Sequence, residues 1–381
     1  MRILYTVRKN WRSKFGGDVH QCKKYIEVLG RKGIKSEIVD RVPNSIDTPS
    51  IVHSLNIDRI GDTYCYYRSA KTKDLPFCFT PIHHSFKFVE EYNLKHARPG
   101  IRFLRRLLNS RRLFESVKNT AKGMIGQVEI SGLLHEVVFG QKKLAHEILE
   151  GADRIFLLAE SEGEHIERDY SIKLDGRKVR LTPNGVDLVH SGSALSSETN
   201  AFVKEHPKFA LVVGRIEPRK NQLGIMGSLE KTKIPIVFAG GKNKNFGRYC
   251  EKFDRFVKNQ QHLHYAGFLT QEQLTTLYKS AFCMILFSWF EVSPLVELEA
   301  YSHGCYVIST NRSYSESYGS KHFKYVDPSL PQSLAMSVSR IWDQNILEGD
   351  GLPNALRRFS WDRTTDVLAN EYKALIGQKG V

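Results

Sequence analysis

The 381-residue sequence lacks three features, and each absence excludes a class of protein. There is no C-x-x-C pair: Cys22, Cys65, Cys78, Cys250, Cys283 and Cys305 are scattered, which argues against a zinc site and a disulfide framework. No apolar run approaches the roughly 20 residues of a membrane span. The opening MRILYTVRKN also turns to charge too soon for a signal-peptide core, so the expected compartment is the cytoplasm. Neither G-x-x-x-x-G-K-[ST] nor G-x-G-x-x-G occurs, which argues against a kinase and a dehydrogenase. No acid-rich metal motif stands out, and no metal or cofactor is expected.

What is present is enough apolar material, 41% of residues, for the cores of two or three domains, together with a net charge of +15. That charge attracts polyanions, anionic surfaces and phosphate-bearing substrates, and says nothing about fold.

The first half opens as an α/β domain. Arg2 to Val7 is β-rich, a loop ends in Gly16-Gly17, and Val19, Cys22, Ile26 and Leu29 recur at helical spacing before Gly33. A doubly wound sheet places ligands at the carboxyl ends of its strands, where Gly16-Gly17 would let backbone approach a substrate. Ile51 to Leu55 and Phe77 to Ile82 read as further strands, the second ending in His83-His84-Ser85. A histidine there could position a hydroxyl or supply a proton, although a lone histidine is more often structural.

Between His96 and Gly123, Ile101, Leu104, Leu107 and Leu108 share one helical face, flanked by Arg102, Arg105, Arg106, Arg111 and Arg112. Two readings stay open: a helix lying on an anionic membrane, or a core-packing helix with a solvated basic side. Ala152 to Ala159 is another buried strand, and Val179 to Pro183 leads into Asn184-Gly185-Val186-Asp187. The polar stretch His190 to Asn200 reads as a linker.

In the second half, Phe209 to Val213 is a strand ending in Gly214-Arg215 and, shortly after, Arg219-Lys220. Cations at a strand's carboxyl end can neutralise a diphosphate, arginine by a forked contact and lysine as a point charge. Ile234 to Gly241 and Leu263 to Gly267 follow as strands, the latter continuing into Phe268. The apolar run Ala281 to Phe287 ends in SWFEVSPLVELEAYSHG, where Ser293 is a candidate N-cap and Pro294 a first helical residue. The amides of Leu295 and Val296 would then offer an anion site at a helix N-terminus. Glu291 and Glu299, with seven residues between them, suit hydroxyl groups better than phosphate.

Glu291, seven residues, Glu299-Ala300 and then Gly304-Cys-Tyr-Val-Ile resembles the signature of glycosyltransferase family four, which includes sucrose synthase and the phosphatidylinositol mannosyltransferases. Where that family usually carries glycines after the first glutamate, this chain has Val292, Ser293 and Pro294. The resemblance implies a GT-B fold, two Rossmann-like doubly wound α/β domains facing a cleft. Residues 1–190 would hold the acceptor, 201–358 the nucleotide sugar, and 359–381 would return to the first domain.

It implies a catalytic set of Glu291, His83 and His84. It also implies donor contacts from Gly16, Gly17, Gly214, Arg215, Lys220, Gly267, Phe268, Ser293, Leu295, Val296 and Glu299, with Arg219 as a substitute for Arg215. The implied reaction is metal-independent, retaining transfer of a hexosyl group from a UDP- or GDP-linked sugar to a saccharide. The basic residues crowded into the first domain, at Arg8, Lys9, Arg12, Lys14 and across Arg98 to Lys122, point to a lipid-linked acceptor in bacterial surface-glycan assembly. The expected partners are that donor, that acceptor and an anionic membrane surface at the inner face. The rivals are a nucleotide-sugar epimerase or hydrolase of the same fold and a basic nucleic-acid-binding protein, the latter without a recognised motif.

Overall fold

The computed structural model describes residues 1–8, 11–12, 16–44, 48–96, 100, 103, 130–187, 191–318, 322–344 and 359–379. The basic stretch expected at residues 101–122 lies outside these, apart from residue 103.

The chain forms two compact units. The first comprises Met1–Lys87, Arg98–Gly185 and Phe359–Val381, and the second Phe88–Ala97 and Val186–Arg358. In the first, a six-stranded parallel sheet runs in the order β2-β1-β3-β4-β5-β6. Its strands are β1 (Arg2–Thr6), β2 (Lys35–Ile38), β3 (Ser50–Leu55), β4 (Phe77–Thr80), β5 (Arg154–Leu157) and β6 (Val179–Leu181). Every residue of β3 and β4 is buried, as expected for strands covered on both faces by crossover helices.

Helices α1 (Gly17–Arg31), α2 (Ile60–Thr72), α3 (Phe86–His96), α4 (Ile130–Phe139), α5 (Gln141–Gly151) and α6 (Glu160–Tyr170) follow in chain order. Of α3, all but its first two residues group with the second unit.

The second unit repeats the plan with β7 (Ala210–Val213), β8 (Ile236–Ala239), β9 (Leu263–Gly267), β10 (Cys283–Leu286), β11 (Tyr306–Thr310) and β12 (Phe323–Val326), all parallel, in the order β12-β11-β10-β7-β8-β9. The order reverses between β7 and β10, so crossovers leave in opposite directions and their carboxyl ends open a crevice, the usual ligand site of a doubly wound sheet. The intervening helices are α7 (Ser197–Glu205), α8 (Gln222–Leu229), α9 (Gly247–Lys258), α10 (Gln271–Ser280), α11 (Leu295–Ser302) and α12 (Pro331–Gln344). The expected linker gives way early: Ser196 accepts from the Thr199 amide at 3.3 Å and starts α7 within it.

Helix α13 (Trp361–Lys379) belongs to the first unit. Buried polar contacts tie it to the sheet: the Tyr372 hydroxyl lies 3.0 Å from that of Tyr5 and 2.5 Å from His53 Nδ1, while Glu371 accepts from Arg154 and Arg180. Burial pushes the His53 pKa down to about 3, so its imidazole is neutral at the sheet's centre. No helix among the described residues is long and apolar enough to cross a membrane.

Candidate active site

The loops after β7 and β10 meet at the switch point of the second sheet. After β7 the chain passes through Gly214 and Arg215 into a 3-10 turn, Pro218–Lys220, and Asn221 takes the left-handed conformation that starts α8. After β10, the Trp289 amide donates to the Arg219 carbonyl at 2.9 Å, locking the two loops together by backbone. Glu291 is thereby delivered between two cations. Lys220 Nζ donates to its Oε1 at 2.5 Å, and Arg219 Nη1 lies 2.9 Å from its Oε2.

All three side chains are largely buried. Burial alone would raise the Glu291 carboxyl, but Arg219 and Lys220 outweigh it and hold Glu291 well below the usual range, fully ionised. Burial likewise opposes the Arg219 charge and is overcome by Glu291 and Glu217. For Lys220 burial wins: its pKa is lowered despite Glu291 beside it.

Arg219 Nη1 also donates to the Phe290 carbonyl at 3.0 Å, and its Nε lies 3.3 Å from Glu217, which takes a further bond from Asn243 at 2.6 Å. Arg215 stands apart. Its side chain is 57% exposed, with only a 3.7 Å approach to Glu217. Of these two arginines the resemblance implies the larger role for Arg215, and it is Arg219 that sits beside Lys220 and Glu291. Both follow β7 at plausible spacing, and only the 3-10 turn decides which one faces inward.

Helix α11 starts one residue later than expected. Pro294 is the N-cap residue, with φ −72° and ψ 120°, and no side chain caps the turn, so Ser293 lies outside the helix. Leu295 and Val296 occupy the first two helical positions, whose amides have no partner within a helix. Glu299, on the next turn, accepts from the Tyr278 hydroxyl at 3.0 Å, and burial raises its pKa. Gly267 has φ +75°, which glycine adopts without strain, and Phe268 beyond it is 83% exposed.

Sequence reasoning missed Glu297, in the first turn of α11. It is fully buried, accepts from Ser309, and has its second oxygen without a hydrogen bond. Burial raises its pKa to about 8, so at neutral pH it is a carboxylic acid six residues on from ionised Glu291. The signal available was its place in α11 beside Leu298 and Ala300, both buried.

The remaining expected residues lie in the first unit. Gly16 is the N-cap of α1 and Gly17 its first residue, with Arg8 and Asp18 paired at 3.1 Å alongside. His83 is fully buried: its Nε2 meets Asp169 Oδ2 at 2.9 Å, its amide donates to Glu162 at 2.8 Å, and its ring packs on Phe86 and Tyr170. His84 is partly exposed, 2.7 Å from Asp58.

Residues 197–354 match the family described as glycosyl transferases group 1. The chain is 26% identical over 178 residues to O-antigen chain mannosyltransferase B of Escherichia coli, covering 44% of this chain and 46% of that protein. It spans about half the length of the curated relatives it matches. Among solved structures it resembles sucrose-phosphate synthase of Thermosynechococcus elongatus, with TM-score 0.69 and 15% identity over 99% of this chain and 100% of that one. It also resembles HepE of Anabaena in complex with UDP, with TM-score 0.68 and 12% identity over 98% and 100%. The fold is therefore the α/β GT-B fold of two six-stranded parallel sheets with flanking helices, and its second unit carries the glycosyl transferase group 1 match.

Proposed function

We propose that the protein is a retaining glycosyltransferase. It moves a hexose from a UDP- or GDP-linked donor to a saccharide acceptor, lipid-linked, in the assembly of a bacterial surface glycan. The observation that carries this reading is Glu291 held between Arg219 and Lys220 at the switch point of the second sheet. With Arg215 and Glu217 included, three cations face two carboxylates, a surplus positive charge that a diphosphate matches.

In the reaction, the bond from the sugar's anomeric carbon to the diphosphate oxygen breaks and both electrons leave with the diphosphate. The acceptor oxygen bonds that carbon on the same face, and its proton passes to the departing diphosphate. Lys220, Arg219 and the amides of Leu295 and Val296 stabilise the charge that grows on the leaving group, with no resident metal or cofactor in this scheme. Glu291, ionised and pinned by its two cations, presents its remaining acceptor capacity to sugar hydroxyls. Glu299 takes the ribose, and exposed Phe268 gives the base a face to stack on. Of the two histidines, His84 has the accessible imidazole and takes the role beside the donor sugar, while His83 anchors the loop.

The relatives support this reading by what they are named for: one is an O-antigen mannosyltransferase and one holds UDP. The net charge of +15 supports a site of action on the inner, anionic face of a membrane. A thermal-shift screen of nucleotide sugars tests the donor site directly, because a ligand bound only by the folded state raises the unfolding midpoint. UDP- or GDP-sugars are expected to raise it where the free sugars do not. Equal, negligible shifts from all of them would remove the donor assignment.

A further inference from the structure

Helix α4 meets α2 through two glycines: a Cβ on Gly61 would lie 2.5 Å from the Gly132 carbonyl oxygen, and one on Gly132 would lie 2.6 Å from that of Gly61. The two backbones touch on that face. Apolar side chains elsewhere on α4 are open to solvent. Leu134, Val137, Val138 and Phe139 are 61%, 48%, 64% and 41% exposed, four of the ten exposed large apolar side chains among the described residues. A concentration of this kind on one surface marks an interaction site, where scattered apolar residues would not.

Gly140 then turns the chain into α5, whose first turn carries Lys142 and Lys143, both exposed, with Lys143 Nζ 5.0 Å from the centre of the Phe139 ring. Beneath this corner lies a cavity of about 610 Å³, within the range of small-molecule sites. Phe86, Phe139 and Tyr170 give it aromatic walls, Phe86 standing edge-on to Tyr170 at 5.0 Å, and Lys142, Lys143 and His146 give it a basic side. The one acid lining it, Asp169, is already matched: its Oδ2 accepts from His83 Nε2 and from the Phe86 amide. Aromatic walls, cations beside them and an apolar apron outside are complementary to a molecule with a hydrocarbon chain and an anionic head.

We propose that this cavity binds the hydrocarbon chain of a phosphate-bearing lipid, with Lys142 and Lys143 on the phosphate and Leu134, Val137 and Val138 against surrounding lipid. The inference rests on the reading of a lipid-linked acceptor, to which it adds the place that holds the chain, but binding itself requires neither donor nor turnover.

Calorimetric titration with dodecyl phosphate below its micelle concentration, without donor, tests it. Dodecyl phosphate is expected to bind at least about tenfold more tightly than inorganic phosphate or neutral dodecyl maltoside, because only it satisfies both walls and cations. The double variant Lys142→Glu, Lys143→Glu and the single variant Phe139→Asp should each weaken it by about tenfold. Both change exposed positions and should leave the unfolding midpoint in place. Dodecyl phosphate binding no more tightly than inorganic phosphate, or binding both variants as it binds the native chain, would overturn the proposal. Transfer to a soluble saccharide, assayed in parallel, separates the two readings: transfer without lipid binding removes this site alone, and lipid binding without transfer removes the enzymatic reading alone.

Discussion

The loop after β4 in the first unit and the paired loops after β7 and β10 in the second sit at equivalent places, the carboxyl ends of parallel strands, yet they are built to opposite ends. The first is locked. Ile82 holds φ +48°, an unusual conformation for a β-branched residue, and the turn it makes buries His83 with its Nε2 on Asp169 and its amide on Glu162. The second is charged and left incomplete, because its cations outnumber its carboxylates and α11 opens with amides that have no helical partner. A strand end that satisfies itself supports, while one that retains surplus charge binds.

The sharpest way to break this contrast is at its charged side. Lys220→Ala should lower the turnover of transfer by about 100- to 1,000-fold, the range for losing a preorganised group that stabilises developing charge. Glu291→Gln should do similarly, since the neutral side chain cannot neutralise Arg219 and Lys220 and both would reorient. Circular dichroism should show the fold intact in each. Near-native turnover in both variants would mean that the cluster is structural, like the His83 loop.

On the locked side the expected effect falls on stability. His83→Ala removes one partner of the Asp169 carboxylate, which His83 and the Phe86 amide hold ionised against burial, and opens a void where the buried ring packs on Phe86 and Tyr170, so it should cost about 2–3 kcal/mol in urea unfolding. His84→Ala, at a partly exposed contact with Asp58, should stay within about 0.5 kcal/mol. If the two substitutions cost the same, burial has misidentified the anchor.

Within the charged region two glutamates six residues apart differ as sharply. Glu291 is ionised because cations surround it. Glu297 is neutral because burial, against the opposing hydrogen bonds from Ser309 and Ser315, raises its pKa to about 8 from the ordinary 4.5. Between those values the folded chain keeps a proton that the unfolded chain has released, so Glu297 makes stability fall as pH rises through that window, by up to about 1.4 kcal/mol per pH unit. Glu162, raised to about 7 by burial, acts in the same direction, and His53, lowered to about 3, acts oppositely. The quantity to measure is therefore the difference between Glu297→Gln and the native chain in urea unfolding at pH 5 and pH 8. The variant should gain on the native chain as pH rises, and parallel curves would place the Glu297 proton elsewhere.

These cases separate what the sequence could disclose from what it could not. Continuous apolar runs such as Ile234 to Gly241 and Ala281 to Phe287 announce buried parallel strands, and the cations after β7 and the glutamate after β10 follow from position alone. The neutrality of Glu297 depends on its complete burial, and a hydrogen bond to it comes from Ser309, twelve residues on, which no local pattern connects to it. The grouping of Phe88–Ala97 with the second unit goes with contacts far off in sequence, such as Glu91 with Arg312 at 2.8 Å, 221 residues away. Start signals are subject to error of one residue even when read correctly, as the shift from Pro294 at the first helical position to Pro294 at the N-cap shows.

The smallest expected effect concerns the two arginines after β7, four residues apart in sequence and in different surroundings. Arg219 has its guanidinium spread over Glu291, Glu217 and the Phe290 carbonyl, so its charge is largely committed to holding the loops together. Arg215 is more than half exposed with one distant carboxylate, so its guanidinium can swing to an incoming phosphate at the cost of its own rotamer freedom. An exposed charge that meets its partner only on binding adds little, on the order of 1 kcal/mol. Arg215→Ala should therefore raise the donor KM by about fivefold with turnover and urea midpoint nearly unchanged, and the loss should shrink at high salt. Arg219→Ala should instead lower turnover and stability together. Were Arg215→Ala to abolish turnover while Arg219→Ala left it intact, the assignment of the inner cation would revert to the one the spacing of the sequence first suggested.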